Sequence, residues 1–254
     1  MFIDTHAHLY NERFTNVEEN IKYALDMGVE KIICSASDIE TARSAIALAE
    51  KYDCVYATIG VHPQDCENFT DSDLKTIEDL ARHRKVVGIG EIGLEYREDC
   101  PDREIQKRVF VAQLELANKL GLPFVIHCRE AVGDMLKILQ ENKNLIKNGG
   151  TFHCFSESVE SAEIVLGLGL HISVGGIVTF KNGRKLQEVV PRVPLGRLLL
   201  ETDCPYLAPE PHRGQLNQPA YIPLIAEKIA ELKNVSVEEV AKTTTNNAKG
   251  LFKL

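Results

Sequence analysis

Phe2-Ile3-Asp4-Thr5-His6-Ala7-His8 is a short apolar run that leads into two histidines separated by one residue. Side chains at positions i and i+2 of a β-strand point to the same side, so His6 and His8 are expected to present two imidazoles to one point. Imidazole is the commonest nitrogen ligand of transition metals in proteins, and two of them are half of a tetrahedral site. The stretch therefore predicts a strand that ends in a candidate metal site, provided that other strands bring further ligands to it.

The same alternation of an apolar strand with an amphipathic helix continues along the whole chain. Residues 16–27, for example, place apolar side chains at helical spacing, with acidic residues in the first turn and Gly28 as the stop signal. The predicted strands are the quoted stretch and residues 31–35, 55–62, 86–91, 124–127, 150–153, 171–175 and 198–203. The predicted helices are 16–27, 39–51, 71–82, 102–120, 131–141, 158–167, 183–190 and 221–232, with a last helix that begins near Ser236.

Eight strands that each precede a helix are the pattern of a (β/α)8 TIM barrel, here with an additional C-terminal helix. The nearly continuous apolar strands fit a parallel sheet that is covered on both faces. A doubly wound open sheet is the alternative, but it would not favour eight strands and it usually has a glycine-rich phosphate turn. The chain has no internal repeat and no interdomain linker, so we expect residues 1–254 to form a single domain.

The composition is that of a soluble globular protein, with 44% hydrophobic and 26% charged residues. No apolar run approaches the roughly 20 residues of a membrane span, and no basic-then-apolar signal is present, so we expect a cytoplasmic protein without a membrane or obligate protein partner. Seven scattered cysteines without a Cys-x-x-Cys pair favour reduced thiols. The net charge of −8 excludes a broad basic surface, so a polyanionic substrate would need a local positive patch or bound cations.

In barrels of this kind the chemistry lies at the carboxyl ends of the strands, where metal-capable side chains recur in this sequence. Five of the eight predicted strands supply them: His6, His8, Glu91, His127, His153 and Asp203. Six nitrogen and oxygen ligands are too many for one tetrahedral ion and suit two divalent cations (Mg, Mn or Zn) bridged by a carboxylate. We expect Glu91 to be the bridge, with His6, His8 and Asp203 on one ion and His127 and His153 on the other.

Two carboxylates are the predicted catalytic residues. A pair of cations polarises a bridging water, and Asp203 is placed to accept its proton as general base while Glu91 bridges the ions. Asp4 and Glu201 each lie two residues before a ligand. They are candidates either for carboxylates that orient the ligand imidazoles or for members of an internal ion pair.

Several residues on the same rim are candidates for contacts with substrate. His62, in Gly60-Val-His-Pro63, could bind a phosphate or act as an acid. Arg97, Arg129, Arg213 and Lys181 would supply positive charge despite the acidic total. Arginine suits phosphate because its planar fork donates two parallel hydrogen bonds.

Seven motifs follow one another along the chain. They are Ile3-Asp-Thr-His-Ala-His8, Gly60-Val-His-Pro63, Gly88-Ile-Gly-Glu-Ile-Gly-Leu94, Pro123-Phe-Val-Ile-His127, His153-Cys-Phe-Ser156, Gly175-Gly-Ile-Val-Thr-Phe180 and Glu201-Thr-Asp-Cys-Pro-Tyr-Leu207. Together they resemble the TatD family of metal-dependent deoxyribonucleases, which belongs to the amidohydrolase-like barrels, over essentially the whole chain. The resemblance implies a TIM-type barrel, two divalent cations on the six positions above, and exonucleolytic hydrolysis of phosphodiesters in a DNA substrate.

The sequence departs from the family pattern at places outside the six ligands. Glu95-Tyr96-Arg97 stands where the family usually has Asp and aromatic residues, and Gln64 stands where it often has a second histidine. The loop that follows Arg213 lacks a basic residue near Leu216. These departures concern contacts with substrate more than hydrolysis itself.

Two other functions remain open on the sequence. A related barrel could hydrolyse amides, esters or lactones, for example by removing an aminoacyl group from tRNA. Many such barrels bridge their metals with a carboxylated lysine, whereas Glu91 occupies this place here and favours phosphodiesters. A non-enzymatic binding or scaffold barrel is the third possibility, and six converging ligands argue against it.

Overall fold

Eight parallel strands form a single sheet in which every strand pairs with its neighbours in chain order. The computed structural model describes residues 1–254. The strands are β1 (Phe2–Ala7), β2 (Val29–Ser35), β3 (Val55–Ile59), β4 (Val86–Glu95), β5 (Phe124–Arg129), β6 (Gly150–Phe152), β7 (His171–Val174) and β8 (Leu198–Leu200). The sheet nearly closes on itself, because the chain beyond β8 meets β1 at a bridge between Ala7 and Cys204. The predicted (β/α)8 barrel is confirmed.

One helix follows each strand, and a ninth helix ends the chain. The helices are α1 (Val17–Asp26), α2 (Ile39–Lys51), α3 (Asp71–Leu80), α4 (Arg103–Leu120), α5 (Val132–Glu141), α6 (Val159–Gly167), α7 (Arg184–Val189), α8 (Ile222–Lys233) and α9 (Val237–Phe252). The additional C-terminal helix is therefore confirmed as well. None of these helices combines the length and the apolar character that crossing a lipid bilayer requires.

Helix α9 packs against the amino ends of the strands and leaves the opposite rim free. Its side chains Ala248, Leu251 and Phe252 join an apolar cluster to which five strands each contribute one residue, namely Ile3, Ile33, Val87, Val125 and Leu199. A separate and larger core fills the space between the sheet and the surrounding helices. With apolar contacts closing one end, the carboxyl rim is the end at which polar side chains can gather.

Strand β4 is four residues longer than the sequence predicts, since it continues beyond Glu91 to Glu95. The sequence predicts a polar loop between Glu91 and Asp102, but the partner strand β5 extends in parallel with β4, so that Leu94 pairs with Cys128 and Glu95 with Arg129. Strand β8 instead ends at Leu200, three residues early. Asp203 then adopts a positive φ of 56°, which turns the chain across the mouth of the barrel.

Gly93 is the residue that allows β4 and β5 to approach so closely. Its φ of 154° lies in a region that residues with a side chain rarely adopt, and a Cβ there would lie 1.8 Å from the carbonyl oxygen of His127. A side chain at this position would therefore push the two strands apart just beneath His127.

Gly93→Ala is expected to lower the free energy of unfolding by about 3 kcal/mol or more, because the strands must separate to admit the methyl group. Gly250→Ala is the matched control, since a Cβ at this exposed position of α9 meets no atom within 4 Å. It should be neutral or stabilise by about 0.5–1 kcal/mol through helix propensity. Urea denaturation followed by circular dichroism measures both, and equal stability of the two variants would contradict the close approach.

Candidate metal centre

The six predicted ligands meet at the carboxyl rim, where they form two groups of atoms. In the first group, Nε2 of His6 lies 3.2 Å from Nε2 of His8. Oδ1 of Asp203 lies 3.3 Å from the His8 nitrogen and 3.9 Å from the His6 nitrogen. Three atoms that can each bind a cation thus face one point from β1 and from the turn after β8.

The second group is built by strands β4 and β5 and the end of β6. Oε1 of Glu91 lies 2.7 Å from Nδ1 of His127 and 2.8 Å from Nε2 of His153. The other oxygen of the same carboxylate, Oε2, lies 3.3 Å from Nε2 of His6 in the first group. Glu91 therefore gives one oxygen to each group, which is the placement of a bridging carboxylate between two cations.

Hydrogen bonds behind the rings determine which nitrogen faces the centre. Nδ1 of His8 lies 2.9 Å from the carbonyl oxygen of Ser35, and because a carbonyl can only accept, this nitrogen carries the hydrogen. Nδ1 of His6 bonds the hydroxyl of the same Ser35 at 3.1 Å. Nε2 of His127 faces the carboxylate of Glu95 at 3.0 Å. The lone pairs of His8 and His127 are thereby turned towards the carboxylates of the centre, an arrangement that fits bound cations.

The buried charges of the centre depend on each other. Burial alone would raise the pKa of Glu91, but the charges of His153 and His6 and the hydrogen bonds of His127 and His153 bring it well below the usual range. Burial likewise disfavours the charged form of His153, yet Glu91 and Glu201 raise its pKa well above the ordinary value. Carboxylates that hold protons on these rings so strongly would also attract a divalent cation, which would take the place of the protons.

The two carboxylates predicted to support the ligands do so in different ways. Oε1 of Glu201 accepts a hydrogen bond from the backbone amide of Cys154 and lies 3.6 Å from Nδ1 of His153, so it stands behind a ligand ring. Asp4 contacts no imidazole nitrogen; it accepts from the backbone of His6 at 3.2 Å and from the hydroxyl of Thr202 at 2.5 Å. Its burial raises the pKa of Asp4 to about 8. Asp4 ties β1 to the chain beyond β8, and its contacts are with backbone and hydroxyl groups rather than with a ligand ring.

A cavity of about 520 Å³ opens over the centre, and three of the five candidate substrate contacts line it. These are His62, Arg97 and Arg129. Arg213 lies outside the lining, with its guanidinium 4.2 Å from the centre of the Phe180 ring, so the structure does not bring it to the cavity. The exposed Lys181 is also absent from the lining.

His62 is placed as a donor rather than as a ligand. It precedes a 3₁₀ turn at Pro63–Asp65, and its Nδ1 accepts a hydrogen bond from the backbone amide of Gln64. Burial lowers the pKa of His62 to about 3, so the ring is neutral at physiological pH. Its hydrogen therefore resides on Nε2, which lies 3.7 Å from Oε1 of Glu91 at the floor of the cavity.

Sequence reasoning missed Ser35, Glu95 and Tyr206. Ser35 is the last residue of β2 and bonds both His6 and His8, and its signal was a lone hydroxyl at the end of an apolar strand. Glu95 lies four residues after Glu91 and had only its charge as a signal. Tyr206 lines the cavity beside Leu207, and both side chains are exposed. Only the folded conformation of the loop after β8 brings Tyr206 and Leu207 to the cavity.

A (β/α)8 barrel that gathers four histidines and two carboxylates into a double group at its carboxyl rim has the construction of a metal-dependent hydrolase. The family model of TatD related DNases matches residues 3–253, so the chain belongs to the TatD family.

Individual relatives agree with this assignment over their full length. The uncharacterized metal-dependent hydrolase YabD of Bacillus subtilis is 46% identical, with 100% of both chains covered. The uncharacterized metal-dependent hydrolase YcfH of Escherichia coli K12 is 38% identical, covering 98% of this chain and 95% of its own. The crystal structure of YjjV, a TatD homologue from the same organism, superposes with a TM-score of 0.94 at 35% identity, covering 100% of this chain and 98% of the other.

Binding of divalent cations is expected to weaken as the pH falls. The neighbouring carboxylates raise the pKa of His8, His127 and His153 above 6.5 despite their burial, so protons compete for these rings already near neutral pH. Lowering the pH from about 8 to about 6 should therefore reduce the association constant for Mn²⁺ by about tenfold or more per unit. Equilibrium dialysis with elemental analysis measures it, and circular dichroism at each pH verifies that the fold persists. An association constant that does not change over this pH range would contradict the assignment of these histidines as metal ligands.

Proposed function

We propose that the protein is a metal-dependent hydrolase that cleaves phosphodiester bonds of DNA, as an exonuclease, through a water activated by two divalent cations. The observation that carries the proposal is the position of Glu91, whose two carboxylate oxygens belong to different groups of ligand atoms. His6, His8 and Asp203 would hold one cation, and His127 and His153 the other. When bound, the cations would acidify a water molecule and neutralise the negative charge that develops at phosphorus.

Asp203 is the proposed general base. Burial would raise its pKa, but the hydrogen bond with His8 and the nearby charge of His153 lower it, so the carboxylate is ionised and able to accept a proton. It also lines the open cavity, where an attacking water can reach it. Its backbone amide donates to the carbonyl of His6 at 2.9 Å, which fixes the carboxylate relative to the ligands of β1.

Three side chains are proposed to bind the phosphate. His62 offers its Nε2 hydrogen from the floor of the cavity, while Arg97 and Arg129 add positive charge at its walls. An acidic protein with a net charge of −8 repels DNA at long range. Affinity therefore has to come from these local donors and from the bound cations.

The size of the cavity supports action at a strand end. A volume of about 520 Å³ is in the range of small-molecule pockets, so it accommodates a terminal nucleotide more readily than an intact duplex. The description of the matching family, TatD related DNase, supports DNA as the substrate.

Hydrolysis of end-labelled DNA oligonucleotides is expected to stop after dialysis against a chelator and to return with Mg²⁺, Mn²⁺ or Zn²⁺, since the cations activate the water. The substrate panel includes bis-p-nitrophenyl phosphate and an aminoacyl ester. Gel analysis of the products separates shortening from the end from internal cleavage. Undiminished DNA cleavage without metal, or turnover of the ester alone, would refute the proposal.

Two histidine variants control this experiment. His153→Ala removes a ligand of the second group and should lower kcat/KM by at least about 100-fold, because loss of a mere supporting residue already costs 10–100-fold. His83→Ala removes an imidazole that bonds Glu50 beyond the end of α3, away from the centre, and should retain the wild-type rate. Equal activity of the two variants would show that hydrolysis does not depend on the proposed centre.

A further inference from the structure

Glu95, the last residue of β4, joins the metal centre to the wall of the cavity. One carboxylate oxygen, Oε2, lies 3.0 Å from Nε2 of His127, and the other, Oε1, forms an ion pair with Nε of Arg97. The Glu95 side chain is 2% exposed and that of Arg97 is 39% exposed. A buried carboxylate thus connects a ring of the centre to a guanidinium at the solvent side of the cavity.

The backbone of Glu95 is held as firmly as its side chain. Its amide donates to Oε1 of the buried Gln106 at 2.8 Å, and its carbonyl accepts from Nε2 of the same side chain at 2.7 Å. Strand pairing with Arg129 of β5 adds a further constraint. The carboxylate therefore cannot move far from His127 without breaking several hydrogen bonds in a buried environment.

We propose that Glu95 is a positioning residue with two tasks. It keeps the hydrogen of His127 on Nε2, so that Nδ1 directs its lone pair at the cation shared with Glu91 and His153, and it holds Arg97 in the cavity wall for a substrate phosphate. This inference rests on the proposed function, since it assumes a cation in the second group and a phosphate above it. A carboxylate that accepts from a ligand imidazole both fixes the ring and increases its basicity.

An alternative for the same residues is a third cation. Ligand atoms of His62, Glu95 and His127 all lie within 4.8 Å of one another. However, Nδ1 of His62 already accepts from the amide of Gln64, which leaves the hydrogen on the nitrogen that would have to bind the metal. Both oxygens of Glu95 are also engaged. These contacts favour support of His127 over a further ligand group.

The length of the side chain matters for both tasks. Asp is shorter than Glu by one methylene. Glu95→Asp would withdraw the carboxylate from His127 and Arg97 while keeping its charge. Glu95→Gln keeps the length, but the amide can accept from only one of the two donors and carries no charge.

Metal titrations of the purified full-length protein test the inference without depending on turnover. Co²⁺ is added to metal-free wild type, Glu95→Gln and Glu95→Asp, and the visible absorption of the bound ion and calorimetry report each equivalent separately. The dissociation constant of one of the two equivalents should rise 10–100-fold in Glu95→Gln and by a smaller factor in Glu95→Asp, while that of the other equivalent is unchanged. Glu98→Gln, an exposed neighbour in the same segment, is the matched control and should titrate as wild type.

Arg97→Ala separates the second task from the first. It should leave both metal equivalents at wild-type affinity and raise KM for DNA by about tenfold or more, because one charged hydrogen bond to phosphate is lost. Thermal unfolding of every variant verifies that the barrel is intact. Should Glu95→Gln fail to fold, Glu95→Asp decides the question.

Each outcome tests either the positioning role of Glu95 or the proposed function. Wild-type affinity of both equivalents in both Glu95 variants would overturn the positioning role. Loss of a third equivalent, with two retained, would overturn it in favour of a metal ligand. If the wild type binds two equivalents but does not cleave DNA, the proposed function fails while the titration still decides the role of Glu95.

Discussion

The interaction on which the centre depends is the contact of one buried carboxylate with the imidazoles around it. Glu91 lies within 3.8 Å of a nitrogen of His6, His8, His62, His127 and His153. Without these rings a buried glutamate would be driven to its neutral form, and without the glutamate the rings would repel one another once protonated. The charged forms of the glutamate and of the rings therefore depend on each other.

The barrel accounts for how such distant residues come together. The register is irregular in β1 between Asp4 and Ala7, across His6, and in β4 between Ile89 and Ile92, across Glu91. Asp4 and the bridge of Ala7 to Cys204 then tie the turn after β8 to β1. At the closed amino end, the burial of apolar side chains against α9 stabilises the fold. The buried charges at the opposite rim do not supply such stabilisation.

The ligand positions could be predicted because the alternation of strands and helices along the sequence locates the carboxyl end of each strand, where a barrel of this kind carries its functional side chains. His127 and Asp203, 76 residues apart by their numbers, both follow from reading strand ends in a (β/α)8 pattern. Two of the supports, Ser35 and Glu95, could not be predicted, since they act across strands and depend on a register that local sequence does not determine. Arg213 shows the limit for loops, because its guanidinium lies over the Phe180 ring and outside the cavity lining, a contact that the motif ending in Phe180 does not reveal.

Glu91 gives one carboxylate oxygen to each ligand group, and the cavity above it is open. Together these features explain how an acidic protein can act on a polyanion, because two cations would reverse the local charge where the substrate binds. Anomalous diffraction from crystals soaked in Mn²⁺ measures this arrangement most directly. Two peaks roughly 3.5–4 Å apart are expected, one beside His6, His8 and Asp203 and the other beside His127 and His153, with one oxygen of Glu91 on each. A single peak, or two peaks that do not share Glu91, would contradict a bridged two-metal centre.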